Sequence, residues 1–241
     1  MEQYRYGKHA VEASLRSGQV KKVFLSKTFK DPVLLSLLEQ KNIPVERIED
    51  SRLEKLVSQS NHQGIVAEVK AFIYTELTSF LKDMDTKTQP LLLLLDGLED
   101  PQNLGSIIRT AVGFGVDGLI MKKDRQVEVN ATVAKIASGA LEFLPIIQVI
   151  NLSQTIATLK EHRFWIVATA LSTKTDFRSV DYRGPIAIII GHEGNGISRL
   201  VLENSDFQVK IPIQKLDSFN AATSTAILLT EVFHQRHPLK P

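Results

Sequence analysis

The run of five leucines at residues 91–95 constrains the fold more than any other stretch of the chain. A segment this apolar, with no polar alternation, is typical of a β-strand that is covered on both faces. Four further apolar runs follow it, and stretches with helical spacing separate them. These runs span residues 116–121, 146–149, 164–168 and 186–190, and the helical stretches span 103–114, 130–141, 152–161 and 218 to about 235. The alternation predicts an α/β fold with a mostly parallel sheet between layers of helices.

Residues 1–72 carry their own alternation of short helical and strand-like segments, which is enough for a small domain. Residues 73–89 turn polar and lose the long apolar runs, so we predict a linker there with one short helix at residues 76–82. The sequence therefore predicts a small α/β domain at 1–72, a linker at 73–89 and a larger α/β domain at 90–241.

Composition excludes several classes of protein. Cysteine is absent, which excludes disulfides, cysteine nucleophiles and thiolate zinc sites and fits a reducing cytoplasm. No apolar run approaches the ~20 residues of a membrane span, and the first residues lack the pattern of a secretory signal, so we expect a cytoplasmic location. The formal charge is +2, with +3 on residues 1–72 and −1 on the rest. A basic N-terminal part suits a phosphate-rich partner, although a chance excess on a solvated surface explains it equally well.

The first motif follows the leucine strand. A polar loop leads into a helical segment in which Gly105 and Arg109 are four residues apart, with Asn103 near the helix start. Residues at this spacing share one helix face, so the arginine leans over a residue without a side chain. This arrangement suits an anionic ligand. A helix cap, a packing glycine and a solvated arginine are an equally good interpretation of these residues alone.

The second motif is the glycine-rich segment 191–198, which follows the apolar run at 186–190. A loop at the carboxyl end of a central strand is where open α/β sheets bind ligands. The glycine spacing matches neither the dinucleotide fingerprint nor the P-loop. Three glycines in six residues let the backbone approach a flat ligand such as adenine. A tight turn explains the glycines, but it does not explain Glu193 between them.

The third motif is Ile211-Pro212 followed by Ser218-Phe219-Asn220, at the start of a helix rich in small residues. Such a helix can pack closely against a neighbouring loop or a second subunit, or it can simply cover the sheet. Together and in this order, the three motifs resemble the SpoU (TrmH) branch of the SPOUT RNA methyltransferases. Tyr6-Gly7, His9 and His62-Gln63-Gly64 resemble the marks of the small L30e-like RNA-binding domain that precedes it in this family. The layout is most similar to the subgroup that methylates a guanosine 2′-hydroxyl in 23S rRNA.

The resemblance implies a deep trefoil knot in the C-terminal domain, S-adenosylmethionine as cofactor, no metal, and a homodimer that acts on RNA rather than on DNA or a membrane. It places cofactor contacts at seven positions: Thr169, Ala170, Gly191, Gly196, Ile211, Ser218 and Phe219. It places the catalytic group at Arg109, Asn103, Glu193 and Asn220.

The role of Arg109 follows from its chemistry. A guanidinium has a pKa above ~12 and stays charged, so it is a poor unassisted base. We expect it to clamp a phosphate of the RNA and to stabilise the developing alkoxide. Asn103 would orient the hydroxyl or Arg109, and Glu193 would hold one of them by a hydrogen bond. His192 could take a proton, but we interpret it as a loop residue. The group that removes the hydroxyl proton stays unassigned.

Two other functions remain open from the sequence. The third motif departs from the family pattern, because Gln214 to Ala222 is one residue short and Ala222 stands where relatives usually carry serine. A non-catalytic RNA-binding or ribosome-assembly protein on the same fold is therefore an alternative. A tRNA substrate is an alternative to rRNA. A nucleotide-dependent oxidoreductase is poorly supported, because no dinucleotide fingerprint follows a strand.

Overall fold

The computed structural model describes residues 3–58, 61–84, 87–124, 126–192 and 194–238. The chain divides into two units. The first contains Met1–Ile73 and Glu128–Phe143, and the second contains Tyr74–Val127 and Leu144–Pro241. The C-terminal domain predicted at 90–241 includes residues 128–143, which the structure groups with the first unit, and no local pattern distinguishes them from their neighbours. None of the described helices has the length and apolarity to cross a lipid bilayer.

The first unit is built on a four-stranded sheet. Its elements are β1 (Gln3–Tyr6), α1 (Lys8–Arg16), β2 (Val20–Ser26), α2 (Pro32–Gln40), β3 (Val45–Ile48), α3 (Asp50–Val57) and β4 (Ile65–Val69). The strand order is β1-β4-β2-β3, with β2 and β3 parallel and the other pairs antiparallel. Asp31 caps helix α2, since its side chain accepts the Leu34 N–H and Pro32 occupies the first turn.

The remaining elements follow in chain order. They are α4 (Leu77–Met84), β5 (Leu91–Asp96), α5 (Pro101–Gly113), β6 (Gly118–Lys122), α6 (Ala131–Ala137), β7 (Ile146–Val149), α7 (Leu152–Glu161), β8 (Trp165–Thr169), β9 (Ile186–Gly191), α8 (Arg199–Glu203), β10 (Phe207–Val209) and α9 (Ala221–Arg236). Helix α6 belongs to the first unit, and the others belong to the second.

The second unit contains a six-stranded sheet in the order β10-β8-β9-β5-β6-β7. All of its strand pairings are parallel, which confirms the α/β fold predicted from the apolar runs. Every residue of β5 is buried, as a strand with neighbours on both edges and helices on both faces requires. Because β5, β9 and β8 are adjacent and parallel, the loops that follow them lie at the same edge of the sheet.

Helix starts and ends differ from the predicted positions. Helix α5 begins at Pro101 rather than Asn103, because Asp100 accepts the Gln102 N–H at 2.9 Å and proline favours the first helical position. Asn103 is therefore in the first turn and is not the cap. Helix α9 begins at Ala221 rather than 218, with Asn220 as its cap. Helix α6 ends at Ala137, because the next residue has a left-handed backbone.

The predicted linker at 73–89 contains a packed helix. Phe80, Leu81 and Met84 of α4 are buried in the core of the second unit, together with residues of β5, α7 and β9. The structure thus assigns most of this segment to the second unit rather than to a free connector. Its polar residues had suggested a linker, but three apolar side chains on one face are enough to anchor an eight-residue helix.

Candidate functional site

A cavity of about 320 Å³ lies at the carboxyl ends of β8 and β9. Three segments form most of its wall: the end of β8 with the residues after it, the end of β9 with the glycine-rich segment, and the segment from the end of β10 into α9. Leu202 of α8 completes the wall. All seven residues predicted to contact the cofactor are on its wall. They are Thr169, Ala170, Gly191, Gly196, Ile211, Ser218 and Phe219. The fold thus brings together positions that are up to 50 residues apart in sequence, and their role in binding stays a prediction.

The glycine-rich segment closes on itself at residues 192 and 196. The His192 N–H donates to the Gly196 oxygen at 3.1 Å, and the Gly196 N–H donates to the His192 oxygen at 2.8 Å. A Cβ added to Gly191 would lie 2.4 Å from the Gly196 carbonyl carbon and 2.6 Å from the Ile197 nitrogen. Real Cβ atoms do not approach backbone this closely, so position 191 requires glycine for space. Gly196 has φ +64°, in the region that favours glycine.

The His192 side chain supports this loop. Its Nδ1 accepts the N–H of Gly194 at 2.9 Å and the N–H of Asn195 at 3.3 Å. A ring nitrogen that accepts N–H groups carries no proton, so the ring proton belongs to Nε2, which lies 3.9 Å from Glu99 Oε2. This geometry agrees with the interpretation of His192 as a loop residue.

The segment after β8 is tied to the neighbouring strands. The Thr169 hydroxyl donates to the Ile189 oxygen at 3.2 Å, and the Ala170 N–H donates to the Val209 oxygen at 2.9 Å. These bonds fix the backbone that forms one wall of the cavity before any ligand arrives. A wall with few free torsions loses little entropy on binding.

The residues predicted to be catalytic are distributed differently. Asn103 and Arg109 lie on α5 and are not among the residues that line the 320 Å³ cavity. Arg109 is exposed, and its side chain makes no hydrogen bond or ion pair with any residue that the structure describes. The Asn220 side-chain oxygen accepts the Thr223 N–H at 2.8 Å and caps α9. Glu193 lies outside the described residues.

Asp96 is a buried carboxylate near the site, and the sequence motifs do not include it. It is 4% exposed at the end of β5, its Oδ2 accepts the Ser198 N–H at 2.8 Å, and its Oδ1 forms an ion pair with Lys122. Burial raises the pKa of Asp96, but the Lys122 ammonium and the Ser198 donors outweigh this effect and hold the pKa below its ordinary value. The available signal was a carboxylate at the end of an otherwise apolar run.

A second cavity, of about 720 Å³, lies at the carboxyl ends of β5 and β6. The first residues of α7 and α8 complete its wall, together with Asp96 and Lys122. His192, Asn195 and Gly196 line both cavities, so these three residues separate one cavity from the other. In the described parts of the chain, His, Asp and Glu side chains do not gather into a cluster of three that could hold a metal ion.

Comparison with known families and proteins adds two matches to family models. The model of the SpoU rRNA Methylase family matches residues 90–230, and the model of the RNA 2′-O ribose methyltransferase substrate-binding domain matches residues 5–75. A protein of Bacillus subtilis named as a TrmH family tRNA/rRNA methyltransferase is 39% identical over 242 residues, covering 98% of this chain and 97% of that protein. A Staphylococcus saprophyticus protein with the same family name is 39% identical, covering 96% and 95%.

Solved structures with the same fold come from more distant sequences. The SpoU methyltransferase AviRb of Streptomyces viridochromogenes, in complex with AdoMet, has a TM-score of 0.83 at 23% identity, covering 98% of this chain and 90% of that one. An AdoMet-bound rRNA methyltransferase of Sinorhizobium meliloti has a TM-score of 0.80 at 24% identity, covering 99% and 88%. The two structures share the fold of this chain along nearly its whole length.

Proposed function

The chain belongs to the SpoU rRNA methylase family, and we propose that it transfers the methyl group of S-adenosylmethionine to a ribose 2′-hydroxyl of RNA. The observation that carries this proposal is the cavity at the ends of β8 and β9, whose wall contains all seven predicted cofactor positions. Two neighbours with this fold, AviRb and the S. meliloti enzyme, were solved with AdoMet, which supports the same cofactor for this chain.

The cavity fits the cofactor in size and in chemistry. Its volume of about 320 Å³ lies at the lower end of the ~300–1,000 Å³ that is usual for small-molecule sites. Apolar side chains such as Ile197, Ile211 and Phe219 suit an adenine ring, and the bare backbone at Gly191 lets the ligand approach closely. When bound, the sulfonium supplies an electrophilic methyl group.

The catalytic group would act on the RNA. Arg109 presents a guanidinium without a partner among the described residues, so its donors are available to a phosphate or to the oxygen that develops negative charge. Asn103, in the first turn of the same helix, would orient the hydroxyl, and Glu193 would hold Asn103 or Arg109. The side-chain oxygen of Asn220 accepts the Thr223 N–H in the α9 cap, and its NH₂ group can donate to a substrate.

We propose rRNA, and within it a guanosine of 23S rRNA, as the substrate. Three observations support RNA recognition: the substrate-binding match at residues 5–75, the charge of +3 on residues 1–72, and the resemblance of the two-domain layout. The names of the relatives include both tRNA and rRNA, so tRNA is the second candidate. Mapping ribose methylation in both RNAs from a strain that lacks the gene tests this directly, since the missing methyl group identifies the substrate.

A homodimer and the trefoil knot also belong to the proposal. Helix α9 packs on α5, and Phe233 on α9 is 44% exposed while it stacks on His237 at 4.2 Å. An apolar ring on a helix rich in small residues suits contact with a second copy. Light scattering on the purified protein should give twice the chain mass of 26.9 kDa.

The non-catalytic alternative is tested by calorimetry. We expect S-adenosylmethionine to bind with one site per chain. A protein that binds no cofactor at millimolar concentration, yet binds RNA, would be an RNA-binding protein on this fold and would contradict the proposed reaction.

A further inference from the structure

Three aspartates of the second unit make the same pair of contacts. Each accepts a backbone N–H through one oxygen and forms an ion pair with a lysine through the other. They are Asp117 with Leu91 N–H at 2.8 Å and Lys87, Asp206 with Ile166 N–H at 2.9 Å and Lys160, and Asp96 with Ser198 N–H at 2.8 Å and Lys122. In two of these pairs, the N–H belongs to the first or second residue of a strand, at the amino end of the sheet. Only the Asp96 bond, among the three, lies at the carboxyl end, where both cavities open.

Asp96 holds both ends of the glycine-rich segment. In the parallel pairing of β5 and β9, Asp96 is the register partner of Gly191, where the segment begins. Its carboxylate accepts the N–H of Ser198, where the segment ends. Between these two points, His192, Asn195 and Gly196 line both cavities.

Burial makes this contact stronger than the other two. The Asp96 side chain is 3% exposed, against 15% for Asp117 and 21% for Asp206. A charge-assisted hydrogen bond away from water is screened less by solvent and salt, and leaving either charge without its partner is costly. Lys122 is placed to balance the charge, because Leu95 and Met121, the residues immediately before Asp96 and Lys122, are register partners.

We propose that Asp96, with Lys122, is a positioning residue that fixes segment 191–198 in the shape that the methyl donor requires. Asp96 is not among the residues that line the 320 Å³ cavity, so it acts through Gly191 and Ser198 rather than by contact with the cofactor. This inference rests on the proposed function only for the identity of the ligand. The contacts of Asp96 with Gly191 and Ser198 do not depend on which ligand binds.

The first test measures the loop without a ligand. In Asp96→Ala, amide hydrogen exchange at residues 194–198 should become about tenfold faster or more, the change expected when one charge-assisted hydrogen bond is lost. Asp117→Ala and Asp206→Ala are matched controls, because they remove the same pair of contacts at the other end of the sheet. Exchange at 194–198 that does not change in Asp96→Ala, or that changes equally in the controls, would overturn the proposal.

The second test measures the ligand. The dissociation constant for S-adenosylmethionine, by calorimetry, should rise about tenfold or more in Asp96→Ala, and affinity for RNA should change less than twofold. The two control variants should stay within twofold of the wild type for both ligands. If the wild type binds no S-adenosylmethionine, the proposed function fails. The exchange experiment still decides whether Asp96 holds the glycine-rich segment in place.

Two further variants separate positioning from folding. Asp96→Asn keeps the shape and an oxygen for the Ser198 N–H, but it leaves Lys122 without a counter-charge. The double variant Asp96→Asn with Lys122→Met removes both charges, and it should recover part of the affinity that Asp96→Asn loses. If Asp96→Ala does not fold, this pair carries the test. No recovery in the folded double variant, or no loss in Asp96→Asn, would show that the ion pair has no part in holding the loop.

Discussion

Gly191 lies so close to Gly196 that no other residue fits at position 191, since an added Cβ would be 2.4 Å from the Gly196 carbonyl carbon. The contact is backbone to backbone, so a larger residue cannot be accommodated by the rotation of a side chain. The loop at 192–196 and the strand β9 therefore have one relative arrangement, and the cavity wall depends on it.

The first prediction concerns this contact. Gly191→Ala should abolish cofactor binding in calorimetry, because residues 196 and 197 must move away to make room for the alanine Cβ. Gly194→Ala is the control in the same loop: its Cβ would lie 3.6 Å from the His192 ring, an ordinary contact, so its loss of affinity should be much smaller. Equal losses in the two variants would mean that the close approach at 191 is unimportant.

Arg109→Ala should reduce methyl transfer by about 10²–10³-fold, the usual cost of removing one group that stabilises developing charge. Cofactor affinity and the free energy of unfolding should stay near the wild-type values, because the Arg109 side chain is exposed and makes no hydrogen bond with any described residue. Arg183→Ala, which removes one charge from an exposed pair with Asp181, controls for net charge. The measurement is single-turnover methylation of RNA. An Arg109→Ala enzyme with full activity would refute the assigned role.

Asn220 has two candidate roles that one substitution separates. Aspartate caps a helix as well as asparagine does, so Asn220→Asp should keep the stability of the wild type, while Asn220→Ala should lose about 1 kcal/mol. A carboxylate cannot donate a hydrogen bond, so Asn220→Asp should lose turnover if the NH₂ group meets the substrate. We expect a stable but slow enzyme, measured by urea denaturation and methylation. A fully active Asn220→Asp enzyme would leave Asn220 as a cap only.

The architecture of the second unit could be predicted because its strands are buried on both faces. Such strands appear in the sequence as apolar runs without polar alternation, and the run at 91–95 is the clearest of them. Strand β10 and helix α8 were missed because three and five residues are too few to show a period. Helices α5 and α9 were placed two or three residues from their real starts, because Asp100 and Asn220 supply the caps.

The glycine-rich part of the candidate site could be predicted from the sequence, whereas contacts between residues far apart in the sequence could not. The spacing of Gly191, Gly194 and Gly196 indicates a backbone that approaches a ligand, and the structure places all three on the cavity wall. The hydrogen bond from Ser198 to Asp96 joins residues 102 positions apart, so it leaves no local pattern. Only the packing of β5 beside β9 brings the two together.

Acid should remove part of the stability that Asp96 supplies. Its pKa in the folded protein is below the ordinary value of about 3.9, so its contribution is complete above that pH and is lost as the pH falls through the lower, folded value. The difference in unfolding free energy between wild type and Asp96→Asn should thus be constant from pH 7 to about pH 5 and shrink below about pH 4. Urea denaturation across this range measures it. A difference that grows in acid would contradict the assignment.

Asp181 provides the contrast for this pH dependence. A hydrogen bond from the Arg183 side chain lowers the pKa of Asp181 to about 2, yet both side chains are exposed. Water and salt screen such pairs, so Asp181→Asn should change the acid stability less than Asp96→Asn does. Added salt should reduce the Asp181 effect further and leave the buried Asp96 effect nearly unchanged.

Tyr182 is fully buried, and its hydroxyl donates to the Phe177 oxygen at 2.8 Å. Tyr182→Phe removes the donor and leaves a buried carbonyl without it, so the free energy of unfolding should fall by about 1–3 kcal/mol at neutral pH. Urea denaturation gives the value, and an unchanged stability would contradict it.

Burial, with help from Glu231 and Asp176, also raises the pKa of Tyr182, so its neutral form persists in the folded protein above pH 10. In an alkaline absorbance titration of the folded protein, Tyr182→Phe should therefore remove a component that ionises above pH 10. Loss of a component that ionises at or below pH 10 instead would show that water reaches the Tyr182 hydroxyl.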